Sequence, residues 1–401
     1  MKLQGAISMK FRKGELFNGP GGLSLGAKKA RIIDPDTGKE YLDPSTGEPY
    51  RIEHLWSNDY DTSACETYGL NICGDKNDPS VHCGPVEQLP IGDKSILGDI
   101  DCFAFGFPCN DYSQVGEKQG LNGSFGPLYS YGVKVLQEYQ PKFFVAENVG
   151  GLQSANEGQA FIKILTELEE CGYELTPHLY KFEQYGVPQA RHRIIIVGIR
   201  NDIAAEGIKF SVPAPTTPDK YKTCYEAITN IPISEDAPNH EMTRHTAKVK
   251  EMLFHIPPGE NAWYIGIPEH LRLNVKGARL SSIYKRLDPS KPAYTVTGSG
   301  GGGTHMYHWE ELRALTNRER ARLQTFPDDF IFCGNKEAVR KQVGMAVPPE
   351  GAQIVFEAIL KSFARIEYDS AKPAPQLQLE NLRGKKQITI EEVVEKEAVL
   401  S

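Results

Sequence analysis

Asp101-Cys102-Phe103-Ala104-Phe105-Gly106-Phe107-Pro108-Cys109-Asn110 is the stretch on which the reading of the fold turns. Its apolar start predicts a buried strand, and the Gly, Pro and Asn that follow predict a turn. Cys102 then lies inside the strand as a packing residue, whereas Cys109 lies in a loop just past the strand's end. Open parallel sheets bind ligands in the crevice outside the carboxyl ends of their strands, so the Cys109 thiol stands where chemistry is commonly found.

The same pattern repeats on both sides of this stretch. Gly14 to Phe17 reads as a strand, Gly19-Pro20-Gly21-Gly22 as a turn, and Leu23 to Ala30 as a helix. His54 to Ser57 reads as a second strand ending at Asn58-Asp59-Tyr60-Asp61, with a helix following through Tyr68. Leu128 to Tyr139 has helical spacing, Phe143 to Ala146 is a strand ending at Glu147-Asn148-Val149, Ala160 to Cys171 is a helix, and Ile194 to Val197 is a strand. Strands alternating with helices predict an α/β fold with a mostly parallel sheet. Before the last strand, Arg191 and Arg193 are two apart and can share a face.

Between the first two strands, Asp34-Pro35-Asp36-Thr37-Gly38-Lys39 and Asp43-Pro44-Ser45-Thr46-Gly47-Glu48 form an imperfect repeat, read as one inserted hairpin. After Asn201 the texture becomes proline-rich and irregular, which suggests a second, smaller domain over 201–312. Thr316 to Leu323 is expected to be a helix with Thr316 as N-cap and Glu319 in the capping-box position. A long apolar helix begins at Pro349 and runs to about Phe363. The expected organisation is therefore 1–200, 201–312, 313–366 returning to the first unit, and a loosely held tail at 367–401.

Composition narrows the function classes. The chain has 401 residues, 40% hydrophobic and 24% charged, enough for a large core and two domains. No stretch reaches the length of a membrane span, and Met1 to Lys13 lacks the apolar core of a secretory signal, so a cytoplasmic protein is expected. Eight cysteines, at 65, 73, 83, 102, 109, 171, 224 and 333, fall short of a disulfide scaffold. Cys65, Cys73, His82 and Cys83 match no common zinc spacing, and no metal is expected. A net charge of −7 argues against general coating of nucleic acid, yet one basic run stands out. It contains Arg272, Lys276, Arg279, Lys285, Arg286 and Lys291, with Asp288 as its one acid; such a run is more often a solvated face than a DNA surface.

The residues at the strand ends suit attack on an electron-poor ring. A Cys109 thiolate is a soft nucleophile, the Glu147 carboxyl can bond a ring nitrogen, and a guanidinium can hold a carbonyl oxygen. The turn Gly-Pro-Gly-Gly is not the dinucleotide fingerprint, which disfavours a dehydrogenase, while Asp59 at the end of the second strand suits ribose hydroxyls.

Together these motifs resemble the DNA (cytosine-5) methyltransferases typical of bacterial restriction-modification systems. Phe17-x-Gly19-x-Gly21-Gly22 resembles the family's S-adenosylmethionine motif, Gly106-Phe107-Pro108-Cys109 its nucleophile loop, Glu147-Asn148-Val149 its acid motif and Gln189-x-Arg191-x-Arg193 its arginine motif. Arg313 with Leu315 to Asp328 resembles the stretch behind the recognition domain, and Gln342-Val343-Gly344 the last motif.

The resemblance implies a Rossmann-like sheet of the S-adenosylmethionine-dependent type, with 201–312 as an irregular target recognition domain. It implies catalysis by Cys109, Glu147 and Arg193 with Arg191 nearby. It implies cofactor contacts from Phe17, Gly19, Gly22, Leu23, Asp59, Tyr60, Leu128 and Val347. Double-stranded DNA would meet Phe107, Ser113, Arg272, Lys276, Arg279, Lys285 and Arg286. A cognate restriction endonuclease is the implied functional partner, and a monomer is expected. Asn110, Pro85 and Met345 depart from the family pattern. The glycine run from Gly298 to Gly303 reads equally well as a close approach to DNA or as a hinge. A DNA-binding relative without catalysis and a methyltransferase acting on tRNA are the competing classes; the filled catalytic positions oppose the first, and the sizeable recognition segment opposes the second.

Overall fold

A computed structural model describes residues 10–107, 128–150, 159–274, 280–298, 305–374 and 377–382. Its centre is a seven-stranded sheet of β1 (Lys10–Leu16), β2 (Arg51–Asp59), β3 (Val81–Cys83), β4 (Cys102–Phe105), β5 (Phe143–Val149), β6 (Tyr173–Lys181) and β8 (His192–Arg200). The short β7 (Gln189–Ala190) precedes β8 outside this sheet. The spatial order is β3-β2-β1-β4-β5-β8-β6, with the first five strands parallel and β8 antiparallel to both neighbours. The expected α/β architecture is thus observed.

From β1 the chain adds strands in one direction to β3 and then returns to place β4 on β1's other side. The strand order reverses between β1 and β4, which opens a crevice at their carboxyl ends. The glycine turn leaves β1 into this crevice, and the Gly106-Phe107 segment leaves β4 into it.

Helices α1 (Gly22–Lys29), α2 (Thr62–Tyr68), α3 (Lys94–Leu97), α4 (Tyr129–Tyr139), α5 (Gln159–Glu170) and α6 (Asn201–Ala205) accompany the sheet. One apolar core lies on each face. Phe11, Phe143, Val197 and Phe363 belong to one, and Phe103, Phe105, Phe144 and Leu136 to the other. α11 (Pro349–Phe363) packs on α1, where the missing side chain of Gly26 permits contact with the start of α11: a Cβ there would meet Ala352 Cβ at 2.6 Å and Pro349 O at 2.7 Å. This docking returns the C-terminal part of the chain to the central sheet.

The remaining elements are β9 (Val212–Pro213), α7 (Cys224–Thr229), α8 (Ala247–Phe254), β10 (Ala293–Tyr294), α9 (Asn317–Leu323), α10 (Lys336–Met345) and β11 (Ser370–Ala371). The capping box on α9 forms as expected, with Glu319 N–H donating to Thr316 Oγ1 at 3.2 Å and Thr316 N–H to the Glu319 carboxylate at 2.7 Å.

Three expectations change. The insert after α1 is two successive tight loops, each closed by its aspartate: Asp34 Oδ1 accepts from Asp36 and Thr37 N–H, and Asp43 Oδ1 from Ser45 and Thr46 N–H. The change of texture at Asn201 does not coincide with a change of core, because Ile203, Ile208, Phe210 and Val212 are buried in the same cluster as Phe11. The segment after Ile366 is docked as far as it is described. Ser370–Ala371 pairs antiparallel with Val212–Pro213, and Leu377 and Leu379 are buried against the second core.

Candidate active site

At the end of β1 the backbone is forced through the left-handed region. Phe17 has φ 56°, Gly19 φ 51° and Gly21 φ 96°, so a bulky residue stands in a sparsely populated conformation beside two glycines that adopt it freely. Backbone of this kind collects at ligand sites, where the surrounding fold holds it in place. Asp59, at the end of β2, is part of that support. Its Oδ2 accepts from Gly19 N–H at 2.8 Å and its Oδ1 from Asp61 N–H at 3.0 Å, while burial raises its pKa against these bonds.

Beneath the turn lies a buried polar cluster. Lys13, almost fully enclosed, is paired with Glu15 and donates to Ser24 Oγ at 2.6 Å. Ser24 Oγ bonds Tyr68 Oη at 2.6 Å, which bonds His54 Nδ1 at 3.0 Å. A charge pair this deep is tolerated only because each member is compensated.

At the carboxyl end of β5, Glu147 faces Arg193. The Arg193 Nε to Glu147 Oε1 distance is 2.9 Å, and each side chain is 13% exposed. Burial raises the Glu147 pKa, with Arg193 and then Arg191 opposing. A Cβ on Gly106 would come within 3.3 Å of Glu147 Oε2, so the exit from β4 and the carboxylate are immediate neighbours. Asn148 Nδ2 donates to Phe107 O at 3.2 Å and ties the segment that leaves β4 to β5. The Phe107 ring itself packs in the core against Phe105 and Tyr129.

Arg191 does not share Arg193's partner. Its Nη1 donates to Val296 O at 3.0 Å and its Nη2 to Gly344 O at 3.1 Å. Around it, Gln189 Oε1 accepts from Val296 N–H at 2.7 Å, Gln189 Nε2 bonds Gln324 Oε1 at 2.9 Å, and Gln324 Nε2 donates to Val343 O at 2.6 Å. β10 pairs with β7 at the same place. Arg191 therefore fastens the returning chain and the end of α10 to the sheet, and its two terminal nitrogens are committed to that task.

One cavity joins these parts, with roughly 800 Å³ of empty space including its open mouth. Phe17, Gly19, Gly22, Leu23, Asp59, Tyr60 and Val347 line it, all expected from the sequence, and Gly106 and Glu147 line its other end. Leu128 is not among its described lining residues and packs instead against the second core. Glu15, Asn18, Asp61, Lys341 and Gln342 line it without having been foreseen. A same-face pair two apart in a strand was the available signal for Lys13 and Glu15, and proximity to Gly344 was the signal for Lys341.

The expected DNA contacts divide. Arg286 is a correction: it is 5% exposed, and its guanidinium donates to the carbonyls of His308, Leu253, Ile256 and Trp309, so no phosphate can reach it. Arg272 is exposed, and it braces its own loop by donating to Ile267 O at 2.8 Å and Ile265 O at 3.1 Å. Lys285 is half-buried, with its ammonium 5.0 Å from the centre of the Tyr294 ring. Cys109, Ser113, Lys276 and Arg279 lie outside the described residues.

Comparison with known proteins agrees with this geometry. The family model of the C-5 cytosine-specific DNA methylases matches residues 11–361. The chain is 64% identical to the type II methyltransferase M.BbvI of Brevibacillus brevis over 368 residues, covering 90% of this chain and 94% of the relative. It is 40% identical to the type II methyltransferase M.NgoFVII of Neisseria gonorrhoeae, covering 87% and 86%. The structure of the S. pombe Dnmt2 methyltransferase shares the fold, with a TM-score of 0.54 at 15% identity over 88% of this chain and 98% of that one.

Proposed function

The chain belongs to the C-5 cytosine-specific DNA methylases, and from that membership we propose that it methylates C5 of a cytosine turned out of double-stranded DNA at one short sequence, with S-adenosylmethionine as donor, protecting host DNA in a restriction-modification system. The observation that supports this most is the single cavity running from the glycine turn to Glu147. A donor held on the turn then lies beside the group that activates the base.

The cavity fits such a donor. It combines a backbone turn, a buried carboxylate and an open aromatic face, groups suited to an amino acid end, a ribose and a base. Phe17, Gly19, Gly22 and Leu23 hold the methionine end, Asp59 the ribose and Tyr60 the adenine face, with Val347 closing the site. When bound, S-adenosylmethionine supplies an electrophilic methyl group.

The chain's own residues prepare the acceptor. The target carbon cannot be reached inside the base stack, so the base is extruded into the pocket, with the Phe107 backbone and Ser113 along its wall. The Cys109 thiolate adds to C6. Glu147 bonds N3 and the exocyclic amine, and the raised pKa that burial gives it favours the protonated carboxyl needed to donate to N3. Arg193 is shared between Glu147 and the base O2. Loss of the C5 proton and expulsion of the Cys109 thiolate then regenerate the enzyme. Arg191 acts at one remove, by holding the segment around Val296 beside this site.

Target recognition falls within 201–312, whose first dozen residues also serve the core, and Arg272, Lys276, Arg279 and Lys285 face the phosphates. Expression in a methylation-free host followed by bisulfite sequencing tests the reading. The expected result is 5-methylcytosine at one short motif, lost in Cys109→Ser. No modified cytosine from soluble, cofactor-binding protein overturns the reading, and full activity in Cys109→Ser removes that thiol from its role.

A further inference from the structure

We propose that Lys341 is a positioning residue of the cofactor pocket that fixes Tyr60 as its aromatic wall; the proposal rests on the reading of this cavity as the S-adenosylmethionine site. Lys341 stands on α10, and Tyr60 and Asp61 stand at the corner between β2 and α2, nearly three hundred residues earlier. All three line the cavity.

The Lys341 ammonium donates to Asp61 Oδ2 at 2.8 Å and lies 3.4 Å from Tyr60 Oη. It is 5.4 Å from the centre of the Tyr60 ring, farther than from the hydroxyl. It therefore sits beyond the phenol oxygen and not above the ring, so it holds the side chain by its end and leaves the faces clear of itself for a stacked base. Asp61 is itself fixed as the N-cap of α2, accepting from Ala64 N–H at 3.2 Å. Burial pushes the Asp61 carboxyl up, but its bonds from Lys341 and Ala64 hold it below the ordinary value, and Lys341 is raised in turn. The pair is charged at neutral pH.

Tyr60 needs such an anchor because it is 60% exposed, too open for packing alone to select its orientation. A ring already fixed before the ligand arrives loses less freedom on binding. The anchor is rigid on its own side too. Gln342, the next residue of α10, accepts from Thr67 Oγ1 at 2.6 Å and donates to Cys333 O at 2.8 Å. One turn further along the same helix face, Met345 also lines the cavity but brings no charge, so the polar hold on the ring falls to Lys341.

Calorimetric titration of the full-length protein with S-adenosylhomocysteine, beside steady-state methylation of DNA from a methylation-free host, tests the proposal. Lys341→Met is expected to weaken binding about two- to fivefold, as for a partly exposed charged contact. KM for S-adenosylmethionine rises by the same factor while kcat at saturation is unchanged, and Lys341→Arg recovers most of the loss. In a Tyr60→Ala background, Lys341→Met adds nothing further. Wild-type affinity in Lys341→Met, or losses that simply add in the double variant, overturns the positioning role. Failure of the wild-type protein to bind S-adenosylhomocysteine overturns instead the reading of the cavity beneath it.

Discussion

Replacing Arg193 with Met removes the guanidinium that faces Glu147 and leaves a carboxyl whose side chain is 13% exposed. Deleting one partner of a buried pair costs roughly 3–5 kcal/mol if the other stays charged. Glu147 has an escape: burial already raises its pKa, and Arg193 is the larger of the two opposing charges, so its loss raises that pKa further and the carboxyl takes up a proton. An acid whose folded-state pKa exceeds its unfolded value binds more protons folded than unfolded between the two. Its stabilising contribution is complete below the unfolded value and falls as pH rises through the folded one. In Arg193→Met that window reaches to higher pH than in the wild type. The gap in unfolding free energy between the two proteins is therefore smallest near pH 4.5, the ordinary glutamate value, and widens upward. It reaches about 3 kcal/mol near pH 8, below the full cost because protonation relieves part of it. Urea melts across this range measure the gap, and one that is constant or narrows with rising pH refutes the account of Glu147.

Two other outcomes follow from the same structure. A Cβ on Gly344 would lie 1.9 Å from Gly298 N and 2.1 Å from Thr297 C, both backbone atoms. Gly344→Ala is thus expected to lower stability by about 1–3 kcal/mol, read as a shift in thermal unfolding, and to reduce methyl transfer; an unchanged melting temperature contradicts the contact. His54 is held neutral, its pKa lowered from 6.5 to about 3 by burial first and then by Lys13. Stability tied to it is complete above about pH 6.5 and is lost as pH falls toward about 3, with an upper bound of roughly 4–5 kcal/mol. His54→Gln should flatten the acid limb of a stability–pH curve, and an unaltered limb assigns acid unfolding to other groups.

The alternation of strands and helices up to Arg200 was legible because apolar runs and glycine turns are local signals. What escaped was mostly non-local. Lys13 was left outside the first strand because a charged residue reads as exposed, whereas the fold buries it against Glu15. Arg286 looked like its basic neighbours, and composition cannot reveal four backbone carbonyls waiting for it. Leu377 and Leu379 are too few, among prolines, to announce a docked segment, yet they find an apolar surface already built by the sheet. Asp59 and Glu147, singled out by their position at strand ends, line the cavity, and Arg193 pairs with Glu147. Lys341 was missed because its partners are distant in the chain, and Arg191 was grouped with Arg193 because spacing two apart predicts a shared face but not a shared partner.

The seam at Arg191 bears on how such a protein can diversify. The inserted segment is held at its return by the pairing of β10 with β7, by Ala293 N–H on Pro188 O, by Val296 N–H on Gln189, and by Val296 O under Arg191. Thr295 Oγ1 on Ala190 O adds a side-chain contact from the segment itself at this joint. A joint made largely through main-chain atoms asks little about which residues the segment carries. Mutation can then rewrite the interior of the segment without renegotiating the attachment, so change within the segment and inheritance of the sheet that carries it are physically separable.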